Sequence, residues 1–149
     1  MPITIAGSGT ITGISAGGLP DGVITTDDIA ANAVTYAKIG TTEQGQLCKA
    51  WVNFNGTGTV AIRASYNVSS ITDNGVGDYT VNFTTAMVDA NYSPVVSYRY
   101  PSAGDQNSTL SCPVNGTAPT TSAIRMRHAN AYGGGSAVDT DYISVAIFR

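Results

Sequence analysis

Charge is scarce in this chain. Asp, Glu, Lys and Arg make up 11% of its 149 residues, less than half of the roughly 25% usual in globular proteins. Seven basic residues against ten acidic ones leave a formal net charge of -3. There is no basic footprint for a phosphate backbone, so a nucleic-acid partner is not expected. Glutamate occurs once (Glu43), histidine once (His128) and cysteine twice, at Cys48 and Cys112. No His-x-His pair, CxxC motif or phosphate-loop spacing appears, and Gly133-Gly134-Gly135-Ser136 lacks a following lysine. Two buried thiols are the expected state of Cys48 and Cys112, with a disulfide as the alternative. Long apolar runs are also missing: none approaches the ~20 residues that span a bilayer. The start, Met1-Pro2-Ile3-Thr4-Ile5-Ala6-Gly7, has neither the basic region nor the apolar core of a signal peptide. Membrane insertion and secretion are therefore not expected, and the six Asn-x-Ser/Thr sequons are read as a by-product of composition.

Neutral polarity fills the gap. Gly, Thr, Ser and Asn account for 59 of the 149 residues, while apolar residues still reach 42%. That is too hydrophobic for a disordered chain and suits a β protein with many turns and a hydroxyl-rich exterior.

The character of the chain changes near residue 46. Residues 1–46 hold two short β-like stretches, Ile3-Thr4-Ile5 and Thr10-Ile11-Thr12, and a Gly17–Gly22 turn or loop. Thr26 ahead of Asp27-Asp28 predicts a helix of about two turns reaching Val34. Its apolar residues (Ile14, Leu19, Val23, Ile29, Val34, Tyr36 and Ile39) are too scattered for one copy to enclose. Either they lie on the second part or several copies meet around an axis. Small residues such as Gly17, Ala30, Ala31 and Ala33 favour self-association.

Residues 47–149 carry the period-two alternation of half-buried strands. Strands are expected over Cys48–Phe54, Thr59–Val68, Asp78–Thr84, Tyr92–Tyr100, Leu110–Val114, Ser122–Asn130 and Asp141–Arg149. Asn55-Gly56 should turn the first hairpin, and Val60, Ile62, Ala64, Tyr66 and Val68 should share a face. Tyr79, Val81 and Phe83 should point inward, with Thr80, Asn82 and Thr84 outward. Pro94 marks an edge or a bulge. The fold class is thus all-β: an antiparallel, jelly-roll-like sandwich of about seven strands behind a short extended and helical N-terminal segment.

Catalytic constellations are not apparent. The acids Asp21, Asp73, Asp78, Asp89, Asp105 and Asp139 mostly sit at predicted turns, where capping accounts for them. Asp27-Asp28 reads as a helix start and Glu43 as linker. Asp105, Asp139 and Asp141 lack calcium-loop spacing. Neither an enzymatic activity, a cofactor nor a metal is expected. His128 reads as an ordinary strand residue, the alternative being a metal shared by three copies on a three-fold axis. Arg125 and Arg127 share a face, with Arg63 and Arg99 placed near them. Pairing with aspartates is the preferred reading and an anion or acidic-glycan patch the alternative. Tyr66, Tyr79 and Tyr142 fit core positions, whereas Tyr98, Tyr100 and Tyr132 adjoin loops and offer flat surface to a sugar.

Two blocks resemble a known family. Ile14–Ile29 with Ala31, Ala33-Val34-Thr35 and Lys38-Ile39 resembles a segment of bacteriophage tail-fibre proteins. Lys49–Thr59, Ser65–Gly75 and Tyr79–Phe83 resemble the C-terminal modules of the same proteins, so the likeness spans roughly residues 14 to 83. It implies a homotrimeric virion component, made in the host bacterial cytoplasm. Residues 1–46 would serve trimerisation and attachment to other tail proteins, and residues 47–149 would form the outward tip. Such tips bind bacterial surface glycans or outer-membrane proteins and carry no cofactor. Binding residues would then lie in loops 101–108, 115–121 and 132–140, with Asn107, Ser108, Asn115, Thr117, Tyr132 and Ser136 as candidates. A purely structural virion protein is the alternative. The chain has no long shaft, coiled coil or β-helical body, and polysaccharide cleavage is not expected of it.

Overall fold

Period-two patterning becomes eight strands in the computed structural model, which describes residues 24–25, 27, 29–99, 108–114, 116–130 and 135–149, with only the backbone at residue 108. The early β-like stretches, the Gly17–Gly22 loop, Thr26, Asp28, Tyr100, Asp105, Asn107, Asn115 and Tyr132 lie outside the described residues. The chain divides into two units at Gly40/Thr41.

In the first unit the expected helix is not found. Among the described residues of 27–34 none is α-helical. The chain instead turns where the Ala33 N–H donates to the Ala30 carbonyl at 2.9 Å, with Asn32 in the left-handed region at φ 65°. Two turns without a packed face do not repay helix nucleation, and asparagine accepts the left-handed conformation readily. A 3-10 turn follows at Tyr36–Lys38.

The second unit opens with α1 (Thr41–Gln46), a stretch read as linker from the sequence, with Glu43 in its first turn. The strands are β1 (Cys48–Asn55), β2 (Ala61–Tyr66), β3 (Val68–Gly75), β4 (Asp78–Phe83), β5 (Ser93–Tyr98), β6 (Ser108–Ser111), β7 (Ala123–Asn130) and β8 (Ile143–Phe148). They form two four-stranded antiparallel sheets, ordered β2-β1-β8-β5 and β3-β4-β7-β6. Pro94 sits on β5, an edge strand of the first sheet, where its missing N–H costs no ladder bond.

Alternation fills the core as expected along the central strands. Ala50, Val52 and Phe54 from β1, Tyr79, Val81 and Phe83 from β4, Ile124 and Met126 from β7, and Ile143, Val145 and Ile147 from β8 are all buried. Residues of both sheets belong to one cluster, in which the Phe54 and Tyr79 rings meet edge-on at 5.3 Å.

Thr59–Val68 is not one strand. It breaks at Asn67, whose φ is 54°, and the chain leaves the first sheet for the second. The Asn67 side chain pins the crossing: Nδ2 donates to the Lys49 and Thr85 carbonyls at 3.1 Å, and Oδ1 accepts the Thr85 N–H at 2.7 Å. Val68 is therefore buried in the second sheet, whereas all six residues of β2 are exposed, Tyr66 at 58%. Tyr142 is likewise exposed rather than in the core. Beyond the crossing, Val68–Gly75 forms β3, a strand that its Ser-Ser-Ile-Thr pattern did not announce.

Gly77 is the tightest point of the β3–β4 turn. Its φ is 65°, and a Cβ there would lie 2.3 Å from the His128 carbonyl oxygen. Gly77 N–H donates to Asp139 Oδ1 at 2.7 Å, and its carbonyl accepts the His128 N–H at 2.7 Å. Gly58 has nearly the same φ, 62°, but open space around it. Urea unfolding should separate the two: Gly58→Ala is expected to cost about 1 kcal/mol for the left-handed backbone alone. Gly77→Ala should cost about 3 kcal/mol or more, because a backbone clash is added. The buried Tyr79 hydroxyl lies 2.7 Å from the Gly56 carbonyl and 2.8 Å from Asp139 Oδ1. Tyr79→Phe should therefore lower stability by about 1–2 kcal/mol in the same experiment.

Candidate functional site

β1 is buried on one side only, so the alternation that sends Ala50, Val52 and Phe54 inward sends Trp51, Asn53 and Asn55 outward. Pairing registers extend this into rows across the first sheet. Tyr66 of β2, Trp51 of β1, Ala146 of β8 and Val95 of β5 stand directly opposite one another. The next row is Ala64, Asn53, Ser144 and Ser97. Large side chains on β1 and β5 flank small ones on β8, which leaves an open groove of about 350 Å³ lined by Trp51, Asn53, Val95, Ser97, Ser144 and Ala146. Its walls are exposed, Trp51 at 41% and Val95 at 58%. None of the residues lining it is charged. Asn53 Nδ2 donates to Ser144 Oγ at 2.9 Å and to the Ile143 carbonyl at 3.1 Å, which fixes the amide. A second depression of about 340 Å³ lies at Tyr66, Asn67, Thr84 and Thr85.

The loop candidates fall at two ends of the second sheet. Ser108 pairs with Asn130, and the Asn130 N–H donates to the Ser136 carbonyl at 2.8 Å, so residues 108 and 136 share an end. Thr117, half-buried in the β6–β7 loop, precedes the other end of β7. Seven steps of strand, about 23 Å, separate the ends, so Thr117 and Ser136 do not line one site. Asn107, Asn115 and Tyr132 lie outside the described residues. Tyr98 is half-buried, with its ring centroid 4.3 Å from that of His128. Trp51, the single tryptophan, went unmarked as a site residue although the same alternation that buries Val52 turns it outward.

Arg63, Arg99, Arg125 and Arg127 do not form one patch. Arg125 and Arg127 lie on β7, in the second sheet, whereas Arg63 lies on β2 and Arg99 just beyond β5 in the first. Arg125 grips Asp78 with two bonds of 2.8 and 2.7 Å, and Arg127 donates to the Gly135 carbonyl at 3.1 Å. Arg99 pairs with Asp141, and Arg149 with Asp89. Arg63 lies 5.2 Å over the Tyr142 ring. Pairing with aspartates, the preferred reading, is what Arg125 and Arg99 do. Turn capping also holds for Asp73 and Asp89, which accept the N–H groups of Gly75 and Asn91 at 2.9 and 2.7 Å.

His128 is fully buried, with Nδ1 2.8 Å from the Val138 carbonyl, and so does not reach an axis shared with other copies. Cys48 and Cys112 are free thiols. Burial pushes the Cys112 thiol up to about 11 and the Tyr92 phenol up to about 12. Burial, reinforced by the bond to Asp139, raises Tyr79 further. Each of these shifts disfavours the anion a nucleophile needs. No group of three His, Cys, Asp or Glu that could hold a metal occurs among the described residues, nor is any of their helices long and apolar enough to cross a membrane. No family model matches the chain, and no characterised protein or solved structure shows significant similarity to it.

The Arg125 bond holds the Asp78 carboxyl below its ordinary range against an opposing push from burial, and Arg149 does the same for Asp89. A depressed folded-state value means that these pairs stabilise fully above the unfolded value, about 3.9, and lose their effect as pH falls through the folded one. Thermal scans should therefore show this part of the melting temperature level from about pH 7 to 5 and falling below about 4. Asp78→Asn is expected to melt a few degrees lower at pH 7 and to show a shallower acid decline.

Proposed function

We propose that the chain is a non-enzymatic attachment module of a bacteriophage tail. It acts as a homotrimeric fibre tip that binds a glycan or an outer-membrane protein of the host surface during adsorption. The likeness of residues 14–83 to tail-fibre modules suggests the class. One observation supports the assembly: among the described large apolar residues of the N-terminal segment, Ile24, Ile29, Val34 and Tyr36 are exposed and Ile39 is half-buried. Apolar surface of this kind gains most by meeting other copies, and closed symmetry is the usual way to satisfy it.

In this reading the N-terminal segment fastens the trimer and joins it to other tail proteins. The two sheets form a jelly-roll-like sandwich that faces outward, without cofactor, membrane insertion or nucleic acid. Neutral polar surface suits contact with glycans, and weak sites repeated three times per tip add avidity. The aspartates engaged by arginines and the raised phenol and thiol values support a binding role over a catalytic one.

Light scattering on the full chain should give a mass near three times 15.3 kDa that persists on dilution. Deleting residues 1–46 should weaken or abolish the trimer while the β signal in circular dichroism remains. Labelled full-length protein should bind cells of the host. A monomer at every concentration would overturn the trimer, and failure to bind any strain of the host range would leave a structural virion protein instead.

A further inference from the structure

We propose that the groove on the outer face of the first sheet is a binding site for an uncharged saccharide, with one sugar ring lying flat on Trp51. The inference rests on the reading of the chain as an attachment module and names where, and on what chemistry, the contact is made.

Three features of the groove point to this occupant. First, its apolar row ends in two aromatic side chains, Trp51 and Tyr66, opposite each other on neighbouring strands and both exposed. Paired positions place their Cβ atoms about 5 Å apart, which makes a short aromatic platform for the apolar face of a sugar ring. Second, the neighbouring row of Asn53, Ser144 and Ser97 lies two residues along the strands, about 6.7 Å away, the order of one sugar residue. Both N–H groups of Asn53 Nδ2 are committed, to Ser144 Oγ and the Ile143 carbonyl, which holds the amide in place so that it meets ligand hydroxyls through its Oδ1 acceptor. Third, none of the lining residues is charged, and Arg63 of β2 is turned to the Tyr142 ring and the Asp141 carbonyl, so the groove itself offers phosphates, sialic acids and acidic peptides no counter-charge. The second depression shares Tyr66 with the platform and adds the polar side chains of Asn67, Thr84 and Thr85, which suit a further sugar.

A second copy of this chain is the competing occupant. A dry protein interface over this face would bury the Asn53, Ser144 and Ser97 row and would need matched partners for it. A saccharide brings hydroxyls that both donate and accept.

Trp51 is the single tryptophan, so intrinsic fluorescence of the full chain reads the site directly. Titration with maltotriose, N,N′,N″-triacetylchitotriose and a β-galactotriose is expected to give a saturable change of emission with at least one of them, and none with oligosialic acid. By calorimetry, Trp51→Ala should weaken that binding by about tenfold or more, with Trp51→Phe intermediate. Circular dichroism and solution mass of both variants should match wild type. No saturable change with any neutral trisaccharide, or undiminished binding by Trp51→Ala, would overturn the proposal. So would a fall in solution mass of Trp51→Ala, which would make the face a contact between copies. Cell binding separates the two readings. If Trp51→Ala still binds host cells as wild type does, the groove fails and the attachment reading stands. If wild type binds no cells, the attachment reading itself fails.

Discussion

The Tyr79 hydroxyl is the point to which both sheets are tied. A phenol with no solvent exposure must find its partner within the protein. Here it has the Gly56 carbonyl, just past β1, and the Asp139 carboxylate, in the segment leading to β8. The approach leaves no room at Gly56, where a Cβ would lie 2.6 Å from that oxygen. Asp139 in turn holds the Gly77 N–H, and the Gly77 carbonyl holds the backbone of His128. One buried hydroxyl thus joins the end of β1, the β3–β4 turn, β7 and the approach to β8. Glycine at 56 and 77 is a condition of that closeness.

With the inner faces committed to this core, the outer faces are free to carry function, and the two differ. The second sheet spends its outward charges on itself, as in the half-buried Asp78–Arg125 pair. The first sheet presents Trp51, Tyr66 and Val95 over small neutral residues. Its rows exist because β1 and β8 are central strands whose inward residues are strictly apolar. Every second position is left to be chosen for the surface.

Central strands were legible from the sequence because both of their faces are decided by alternation alone. Tyr79, Val81 and Phe83 turn inward as read, and β7 separates Ile124 and Met126 from Arg125 and Arg127. Of the edges, Pro94 announced β5, but β2 and β3 were not legible. Thr59–Val68 has the pattern of one long strand, but Asn67 adopts a left-handed backbone and sends Val68 into the other sheet. Tyr66 then has no sheet above it and lies exposed, while Tyr98, read as loop-side surface, finds His128. The short helix read at residues 27–34 failed for a related reason: capping residues mark where a helix can begin, and its persistence depends on a packed face.

Composition and period by themselves determined that this is an all-β chain with a neutral polar exterior, where its central strands run and which of those strands' side chains turn into the core. They also indicated that its acids serve turns and ion pairs. These are local properties, set by the two-residue repeat of a strand and by turn chemistry. Only the tertiary structure decided that β2, β3 and β6 lie at edges, that the arginines are divided between two sheets, and that Trp51 flanks a groove with Val95. Those outcomes depend on register between strands about 90 residues apart in sequence, such as β1 and β8. No local pattern encodes which small residue will lie opposite a tryptophan.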